Sequence, residues 1–281
     1  MNNHSSGNHV FINQLGYLPR QRKIVISDLP SQHFEVIQTS NGETVFSGPM
    51  VPVPDATSNQ TVWRGDFSAL TSNGKYLIRI DETHWSFPFS VDAHIYHRLF
   101  QLSSRFYYLQ RCGISINDSH LDLFHHACHT HDGFLLSSNA PVQSCGGWHD
   151  AGDLSQGVWN TTEAVYAMFY LAETVKEKDP ELYEGLIEEA RWGLDWVLKT
   201  RFGDGYRSVW ATMDFWTDGI IGTFDDIIFK AKNVPMANFD TAATEALASR
   251  VLKDRFPHLS DWCRQAAIED FKFALDALEN I

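Results

Sequence analysis

The pattern of hydrophobic and polar residues changes near residue 92. Before that point, apolar residues come in short runs or alternate with polar ones, and turn dipeptides such as Asn41-Gly42 and Asn73-Gly74 separate the runs. Several short strands joined by turns are typical of an antiparallel sandwich. The pattern therefore predicts a small β-sandwich domain over residues 8–92. The predicted strands are Lys23–Ser27, Phe34–Gln38, Glu43–Ser47, Lys75–Ile80 and Trp85–Val91.

After Asp92 the apolar residues recur every three or four positions, as they do in amphipathic helices. Consecutive helices favour a helical array over alternating strands and helices, and we assign residues 93–281 to this domain. The stretches between the first two helices and from residue 202 to residue 237 are expected to be loops. The predicted helices are Tyr96–Arg111, Val158–Lys176, Glu181–Thr200, Asn238–Arg255 and Leu259–Leu278.

Composition and charge exclude some classes of partner. The formal net charge of −13 argues against nucleic acid, because little basic surface is available to neutralise phosphates. No apolar run approaches the length of a membrane span, so no membrane partner is expected. The first residues lack the basic start and apolar core of a secretory signal. The expectation is a cytoplasmic chain as written, or a secreted or periplasmic one if a signal was removed.

The stretch Cys-Gly-Gly-Trp-His-Asp-Ala-Gly-Asp, residues 145–153, carries the most suggestive chemistry. It sets two carboxylates, Asp150 and Asp153, three positions apart on a glycine-rich turn. Two nearby carboxyl groups in different environments can take different catalytic roles. The alternative is an acidic loop that caps the next helix or is simply solvated.

Two kinds of metal site are conceivable. Cysteines and histidines make a plausible tetrahedral zinc set, although such spacings also fit buried free cysteines, and Cys145 is a rival ligand. The members of that set are Cys112, Cys128, His129 and His149. An acidic loop could also offer oxygen ligands to calcium, although a solvated acidic face explains it as well. Its residues are Asp214, Asp218, Asp225 and Asp226.

Tryptophans in or near the predicted loops are candidates for stacking on sugar rings. These candidates are Trp148, Trp159, Trp210 and Trp216. By contrast, Trp192 and Trp196 are four positions apart on the third predicted helix, and we expect both to pack inside the domain.

Six motifs carry a resemblance to a known family over nearly the whole chain. In the first domain they are Asn13-Gln-Leu-Gly-Tyr17, Gly65-Asp-Phe-Ser68 and Gly74-Lys-Tyr-Leu77. In the second they are Gln110-Arg-Cys-Gly113, Ala127-Cys-His129 and the stretch from Gly146 to Asp153. With these motifs the chain resembles glycoside hydrolase family 9, the inverting β-glucanases, in the subgroup with an N-terminal immunoglobulin-like domain.

The resemblance implies an immunoglobulin-like β-sandwich followed by part of an (α/α)6 helical barrel. It also implies that Asp153 is the general base that activates water, that Asp150 helps to hold that water, and that the substrate is a β-linked oligo- or polysaccharide. A structural zinc is implied at the four cysteine and histidine positions. One segment departs from the family pattern, because Leu154-Ser-Gln-Gly157 stands where many family cellulases carry aromatic or basic residues. Shorter β-linked glucosides or glucosaminides therefore stay open as substrates.

The general acid is the largest departure from the family. In the family this acid is a glutamate late in the barrel, and no residue of this chain matches it. We interpret Glu163 and Glu245 as structural or rim residues. The expectation is a fragment of an inverting β-glycoside hydrolase. An alternative is a non-catalytic, carbohydrate-binding relative of the enzyme. A zinc-dependent hydrolase with Asp150 as base is disfavoured, because a closed four-ligand site leaves no position for an activated water.

Overall fold

The structure is a computed structural model that describes residues 9–119, 121–130, 133–143, 145–151, 154–212 and 227–279. It divides into two compact units, Met1–Phe100 and Gln101–Ile281. The division lies inside the first helix, and the boundary that the sequence places after residue 92 stays a prediction. Among the described helices, none combines the length and the apolarity that are needed to cross a membrane.

The first unit is a β-sandwich built from seven antiparallel strands in the order β1-β2-β5-β4-β3-β6-β7. Strand β4 links its two halves: residues 44–49 pair with β3, and residues 50–55 pair with β5. The strands are β1 Val10–Phe11, β2 Ile24–Ser27, β3 His33–Gln38, β4 Thr44–Asp55, β5 Gln60–Asp66, β6 Gly74–Arg79 and β7 Phe89–Val91.

Aromatic side chains fill the interior of the sandwich. The ring of Tyr17 meets Phe67 edge to face, with centroids 5.3 Å apart, and Phe89 lies 5.6 Å from both of them. All three are buried, together with Phe34 and Tyr76. Large rings of this kind contribute much of the apolar area that a small domain can remove from water.

The second unit contains most of the first helix and all of the later ones, and the sequence explains where several of them begin. Helices α3, α4 and α5 each start at a proline, a residue that suits the first turn of a helix because its missing N–H is not needed there. The carboxylate of Asp179 also caps α3 by accepting a hydrogen bond from the backbone N–H of Leu182 at 3.0 Å. The helices are α1 His97–Leu109, α2 Val158–Val175, α3 Pro180–Lys199, α4 Pro235–Leu252 and α5 Pro257–Glu279.

The helices of the second unit pack as two hairpins. Helix α2 packs on α3, α4 packs on α5, and α2 and α4 lie side by side. The core between them is apolar and includes Phe169, Leu194 and Leu252. In α1 no described residue is buried, and its Leu102 and Phe106 are more than half exposed, so its apolar stripe is not covered in this structure.

Short strands occupy part of the stretches that the sequence predicts to be loops, and that expectation is corrected here. A five-stranded sheet has the order β11-β10-β14-β13-β12, and β8 and β9 form a separate pair. These strands are β8 Ile116–Asp118, β9 Leu123–His125, β10 Gly133–Leu135, β11 Pro141–Val142, β12 Gln156–Gly157, β13 Arg207–Thr212 and β14 Ile227–Lys232. Most are two or three residues long, too short to show an alternating pattern.

Candidate active site and metal centre

The four predicted zinc ligands meet in one buried cluster. Their donor atoms lie within 4.8 Å of one another, although the residues come from three separate segments of the chain. The Sγ of Cys112 is 3.0 Å from Nδ1 of His129 and 3.9 Å from Sγ of Cys128, and the Cys128 Sγ is 3.3 Å from Nε2 of His149. We refer to these four residues as the Cys/His cluster.

The spacing of these donors fits a tetrahedral ion. With metal–sulfur and metal–nitrogen bonds of about 2.3 and 2.0 Å, the edges of such a tetrahedron are roughly 3.3–3.8 Å long. His129 adds a further sign of constraint, because its φ of 56° is in the left-handed region that few residues other than glycine adopt. Two thiols and two imidazoles buried together at these distances could hold a metal ion.

Burial and mutual contact shift the pKa values of the two thiols in opposite directions. Burial raises the pKa of the Cys112 thiol well above its usual range, and the contact with Cys128 raises it further. The pKa of Cys128 is lowered, chiefly because its thiolate accepts a hydrogen bond from Cys112 and also by contacts with His129 and His149. One proton shared between two sulfurs is expected for a pair without an ion, whereas a bound cation favours both thiolates.

The turn that carries Asp150 is fixed from several directions; residues 145–151 are called the aspartate turn below. Gly146 and Gly147 have φ values of 108° and 63°, which favour glycine at both positions. The carbonyl of Gly147 accepts hydrogen bonds from the backbone N–H of Cys112 at 3.0 Å and from the indole of Trp192 at 2.7 Å. One residue beyond Trp148, the N–H of His149 donates to the carbonyl of Gln110 at 2.9 Å. His149, a member of the Cys/His cluster, therefore lies directly before Asp150 on a segment that is hydrogen-bonded to the end of α1.

Asp150 lies half-buried at a pocket of about 210 Å³. Tyr107, Gln110, Asn160 and Thr161 also line this pocket, so that aromatic and polar groups surround the carboxylate. The backbone N–H of Asp150 donates to the carbonyl of Ser155 at 2.8 Å. A carboxylate held in a small, partly polar pocket can orient a water molecule or a sugar hydroxyl.

The predicted base Asp153 lies outside the described residues, and so does Trp216. The same is true of the whole acidic loop that was considered for calcium, from Asp214 to Asp226. The structure therefore says nothing about these positions.

The remaining tryptophan candidates divide into buried and half-buried residues. Trp148 is 4% exposed and donates its indole N–H to Glu189 at 2.7 Å, and it also lines the pocket at Asp150; its stacking role stays a prediction. Trp159 and Trp210 are half-buried. A Cβ added to Gly157 would lie 2.5 Å from the Trp210 ring and 3.2 Å from Oδ2 of Asp150, which places that tryptophan beside the predicted catalytic group.

A buried ion pair between Arg111 and Glu189, next to the aspartate turn, was not predicted from the sequence. Arg111 donates to both carboxylate oxygens of Glu189, at 3.1 and 2.8 Å, and its guanidinium lies 4.7 Å from the centroid of the Trp192 ring. Because Glu189 also accepts from Trp148, this group joins α3 to the turn. The partners are 78 positions apart, and only the Arg111 side belongs to a quoted motif, so no local signal indicates the pairing.

The two glutamates interpreted as structural or rim residues lie in different environments. Glu163 is exposed on α2, whereas Glu245 is fully buried on α4. Burial raises the pKa of Glu245 to about 8, and the charge of Asp270 raises it further, against the opposing effect of Arg207. The Arg207 guanidinium is 3.7 Å from the Glu245 carboxylate and forms an ion pair with Asp270, so Glu245 belongs to a buried polar network of the helical core.

Two family models match the chain. One, described as Cellulase N-terminal ig-like domain, matches residues 5–84. The other, described as Glycosyl hydrolase family 9, matches residues 96–280. The predicted order of an immunoglobulin-like sandwich and a helical domain of the (α/α)6 type is thereby confirmed.

Individual proteins give the same relationship. Endoglucanase D of Acetivibrio thermocellus is 25% identical over 297 residues, which cover 99% of this chain and 47% of that protein. The solved structure of a Bacteroides ovatus GH9 protein has a TM-score of 0.80 at 23% identity, covering 96% of this chain and 54% of its own. A Zn-binding triple mutant of the family 9 endoglucanase J30 has a TM-score of 0.79 at 25% identity, covering 92% and 53%. The chain thus spans about half the length of the relatives it matches.

Proposed function

Since the chain belongs to glycosyl hydrolase family 9, we propose that it carries the water-activating half of an inverting β-glycoside hydrolase that acts on β-glucans or cello-oligosaccharides. The single observation that supports this proposal best is the position of Asp150. Its carboxylate lies at a pocket, on a turn that hydrogen bonds fix to α1 and α3.

The proposed chemistry assigns a different task to each aspartate. Asp153 takes a proton from water as that water attacks the anomeric carbon, and Asp150 holds the same water in place. An inverting enzyme needs about 6.5–9.5 Å between its base and its acid, which leaves room for that water. Asp150 and Asp153 are three positions apart in sequence, so joint action on one water suits them better than opposite roles. The proton donor to the leaving group is not matched by any residue of this chain.

The substrate proposal depends on the groups around Asp150. Tyr107 and Trp210 offer aromatic surface close to the carboxylate, and Gln110, Asn160 and Thr161 offer hydrogen bonds to hydroxyl groups. Pyranose rings present both apolar faces and hydroxyl edges, which such a mixed lining recognises. The name of Endoglucanase D supports a glucose polymer as the substrate class.

We assign zinc to the Cys/His cluster as a structural ion. Cys112, Cys128, His129 and His149 would supply all four ligands, so the bound ion would act by holding the aspartate turn rather than by presenting a water. The Zn-binding mutant of endoglucanase J30 supports this choice of metal. The donor atoms support it as well, because thiolate and imidazole together favour zinc over calcium or magnesium.

An activated substrate tests the proposal on the chain as it is. The 2,4-dinitrophenolate leaving group needs no proton, so 2,4-dinitrophenyl β-cellobioside should be hydrolysed without a general acid, whereas β-glucan should be cleaved poorly or not at all. We expect release of the α-anomer of cellobiose, observed by NMR, because attack by water inverts the configuration. Asp153→Asn should lower the rate at least about 100-fold.

The matched control is Glu163→Gln, which removes a carboxylate that is exposed on α2 and should leave the rate unchanged. Calorimetric titration with cello-oligosaccharides completes the test. Binding without any hydrolysis of the activated substrate would instead support a non-catalytic carbohydrate-binding protein, and a β-anomer product would rule out inversion.

A further inference from the structure

Two histidines approach each other on the surface of the β-sandwich. His9 directly precedes β1, and His84 lies between β6 and β7. Their rings meet edge to face, with centroids 5.5 Å apart and planes at 80°. Both side chains are partly open to solvent, at 31% and 34% exposure. We refer to these two residues as the histidine pair.

A carboxylate orients each ring of the histidine pair. Nδ1 of His9 lies 2.9 Å from Oδ1 of Asp28, and Nδ1 of His84 lies 2.7 Å from Oδ2 of Asp81. The Asp81 carboxylate is fixed in turn, because its Oδ1 accepts hydrogen bonds from the backbone N–H groups of Thr83 and His84, both at 2.8 Å. Since an ionised carboxylate only accepts hydrogen bonds, each Nδ1 carries the proton and each Nε2 keeps its lone pair.

The two Nε2 atoms are therefore available as ligands. Neither of them makes a hydrogen bond to another residue in the part of the chain that the structure describes. Histidines that bind metal ions commonly have their other ring nitrogen held by a carboxylate, which fixes the tautomer and makes the ligand more basic. The histidine pair has this arrangement twice.

The separation of the two rings also fits imidazoles that share one ion. With metal–nitrogen bonds of about 2.0 Å, two imidazoles at a tetrahedral angle have ring centres about 5.2 Å apart. In the Cys/His cluster, where the donor atoms converge, the rings of His129 and His149 have centroids 5.3 Å apart and planes at 85°. The histidine pair is close to both of these values.

We propose that His9 and His84 bind one divalent transition-metal ion of the nickel, copper or zinc class through their Nε2 atoms. Imidazole nitrogen suits these ions better than it suits calcium or magnesium. Among the described residues, three or more potential ligands converge only in the Cys/His cluster, so water completes the coordination at the histidine pair. A site with two protein ligands binds its ion more weakly than the four-ligand cluster does, and it fills only when metal is added.

The bound ion would connect segments at opposite ends of the strand order. His9 precedes β1, the first strand in that order, whereas His84 lies between the last two strands, β6 and β7. An ion that binds the folded state and not the unfolded chain stabilises the folded state. The histidine pair would thus link the two halves of the sandwich when metal is present.

The experiment titrates Ni²⁺ alone into the full chain, whose Cys/His cluster keeps the metal that it carries after purification. Calorimetry should show one Ni²⁺ per chain, and His9→Ala and His84→Ala should each bind at least tenfold more weakly, because one of two nitrogen ligands is lost. Asp28→Asn should weaken binding about tenfold, since it removes the charge that orients a ligand. His33→Ala is the matched control: this histidine is exposed at the start of β3, and the affinity should stay within twofold of the parent.

Selective ¹⁵N labelling of histidine locates the ion. Because Ni²⁺ is paramagnetic, less than one equivalent should broaden the imidazole signals of His9 and His84 before those of the other histidines. The two signals are assigned by their absence from the spectra of the alanine variants. Circular dichroism shows whether each variant is folded, and Asp28→Asn with the NMR titration tests the site even if an alanine variant is not.

Three results would overturn the proposal. They are no binding of Ni²⁺ by the parent, binding that His9→Ala and His84→Ala retain at the affinity of the parent, and earlier broadening of other histidine signals. None of these measurements involves a sugar, so their outcome is independent of the proposed function.

Discussion

Gly193 sits on α3 where the helix meets the ring of Trp148. A Cβ at this position would overlap that ring and lie 2.6 Å from Cγ2 of Val165, and the tryptophan has no room to move because it is buried. We therefore expect Gly193→Ala to lower the free energy of unfolding by about 1–3 kcal/mol. Urea unfolding followed by circular dichroism measures the change.

The same substitution eight residues earlier serves as the control. A Cβ on Gly185 of the same helix meets nothing within 4 Å, and alanine favours helix more than glycine does. Gly185→Ala should raise the free energy of unfolding by about 0.5–1 kcal/mol. Similar effects of the two variants would show that the contact with Trp148 does not restrict residue 193.

Glu245 should make stability depend on pH. Its pKa is raised from 4.5 to about 8 in the folded chain by burial and by Asp270, so the folded state binds the proton more tightly than the unfolded state does. The contribution to stability is complete below pH 4.5 and is lost as the pH rises through about 8. We expect the free energy of unfolding to fall by about 1–3 kcal/mol between pH 5 and pH 8 through this group.

Glu245→Gln keeps the shape of the side chain and removes the titration. The variant should lose much less stability than the parent over the same pH range, and the difference should be greatest near pH 8. Glu163→Gln is the control, because that carboxylate is exposed and should leave the pH dependence unchanged. A parallel decline in the parent and in Glu245→Gln would mean that Glu245 is ionised in the folded chain at neutral pH.

At the scale of elements, the Cys/His cluster connects the end of α1, the segment after β9 and the aspartate turn. Cys112→Ser removes one of its two sulfur ligands. We expect the zinc content, measured by elemental analysis of the purified chain, to fall from about one ion per chain to a small fraction, because three remaining ligands bind zinc far more weakly.

Cys145→Ser changes the same turn but removes none of the four residues of the Cys/His cluster. Cys145 was the rival ligand in the sequence, but it is not among the four clustered residues, so this variant should keep its zinc. Zinc loss in Cys145→Ser with retention in Cys112→Ser would exchange the two assignments. A parent chain that contains no zinc would remove the structural ion from the proposal.

The sequence predicted the helices of the second unit better than its strands. Amphipathic spacing placed α2 to α5 within a few residues of their ends. The five-stranded sheet was missed because three of its five strands are only two or three residues long and one of its pairings, between β10 and β14, joins distant segments. In the sandwich, Pro49, Pro52 and Pro54 hid the second half of β4, since proline in an apolar run argues against a strand.

Some residues of the candidate site could likewise be predicted from the sequence, and others could not. The turn with His149 and Asp150 could be identified from a contiguous motif, and the four residues of the Cys/His cluster from a family resemblance. The burial of Trp148 could not, because it depends on Glu189, which lies 41 positions away on α3. A motif of neighbouring residues can be recognised in the sequence, whereas contacts between elements depend on the whole fold.

At the scale of the whole molecule, the buried hydrophobic clusters of the described residues stay within their own compact units, one in the first unit and two in the second. Separate cores favour separate unfolding, so scanning calorimetry of the zinc-loaded chain should show two transitions. Gly65→Ala identifies the transition of the sandwich, because a Cβ there would lie 2.5 Å from the ring of the buried Phe34. The transition that this variant lowers belongs to the first unit.

A chelator should then act on only one of the two transitions. All four residues of the Cys/His cluster belong to the second unit, and an ion that binds the folded state adds about 2.7 kcal/mol when present at a hundred times its dissociation constant. For a domain of this size, removal should lower the melting temperature of the helical unit by roughly 5–10 °C. Cys112→Ser should show no response to the chelator. A shift of the sandwich transition instead, or an equal shift in Cys112→Ser, would place the stabilising ion elsewhere in the chain.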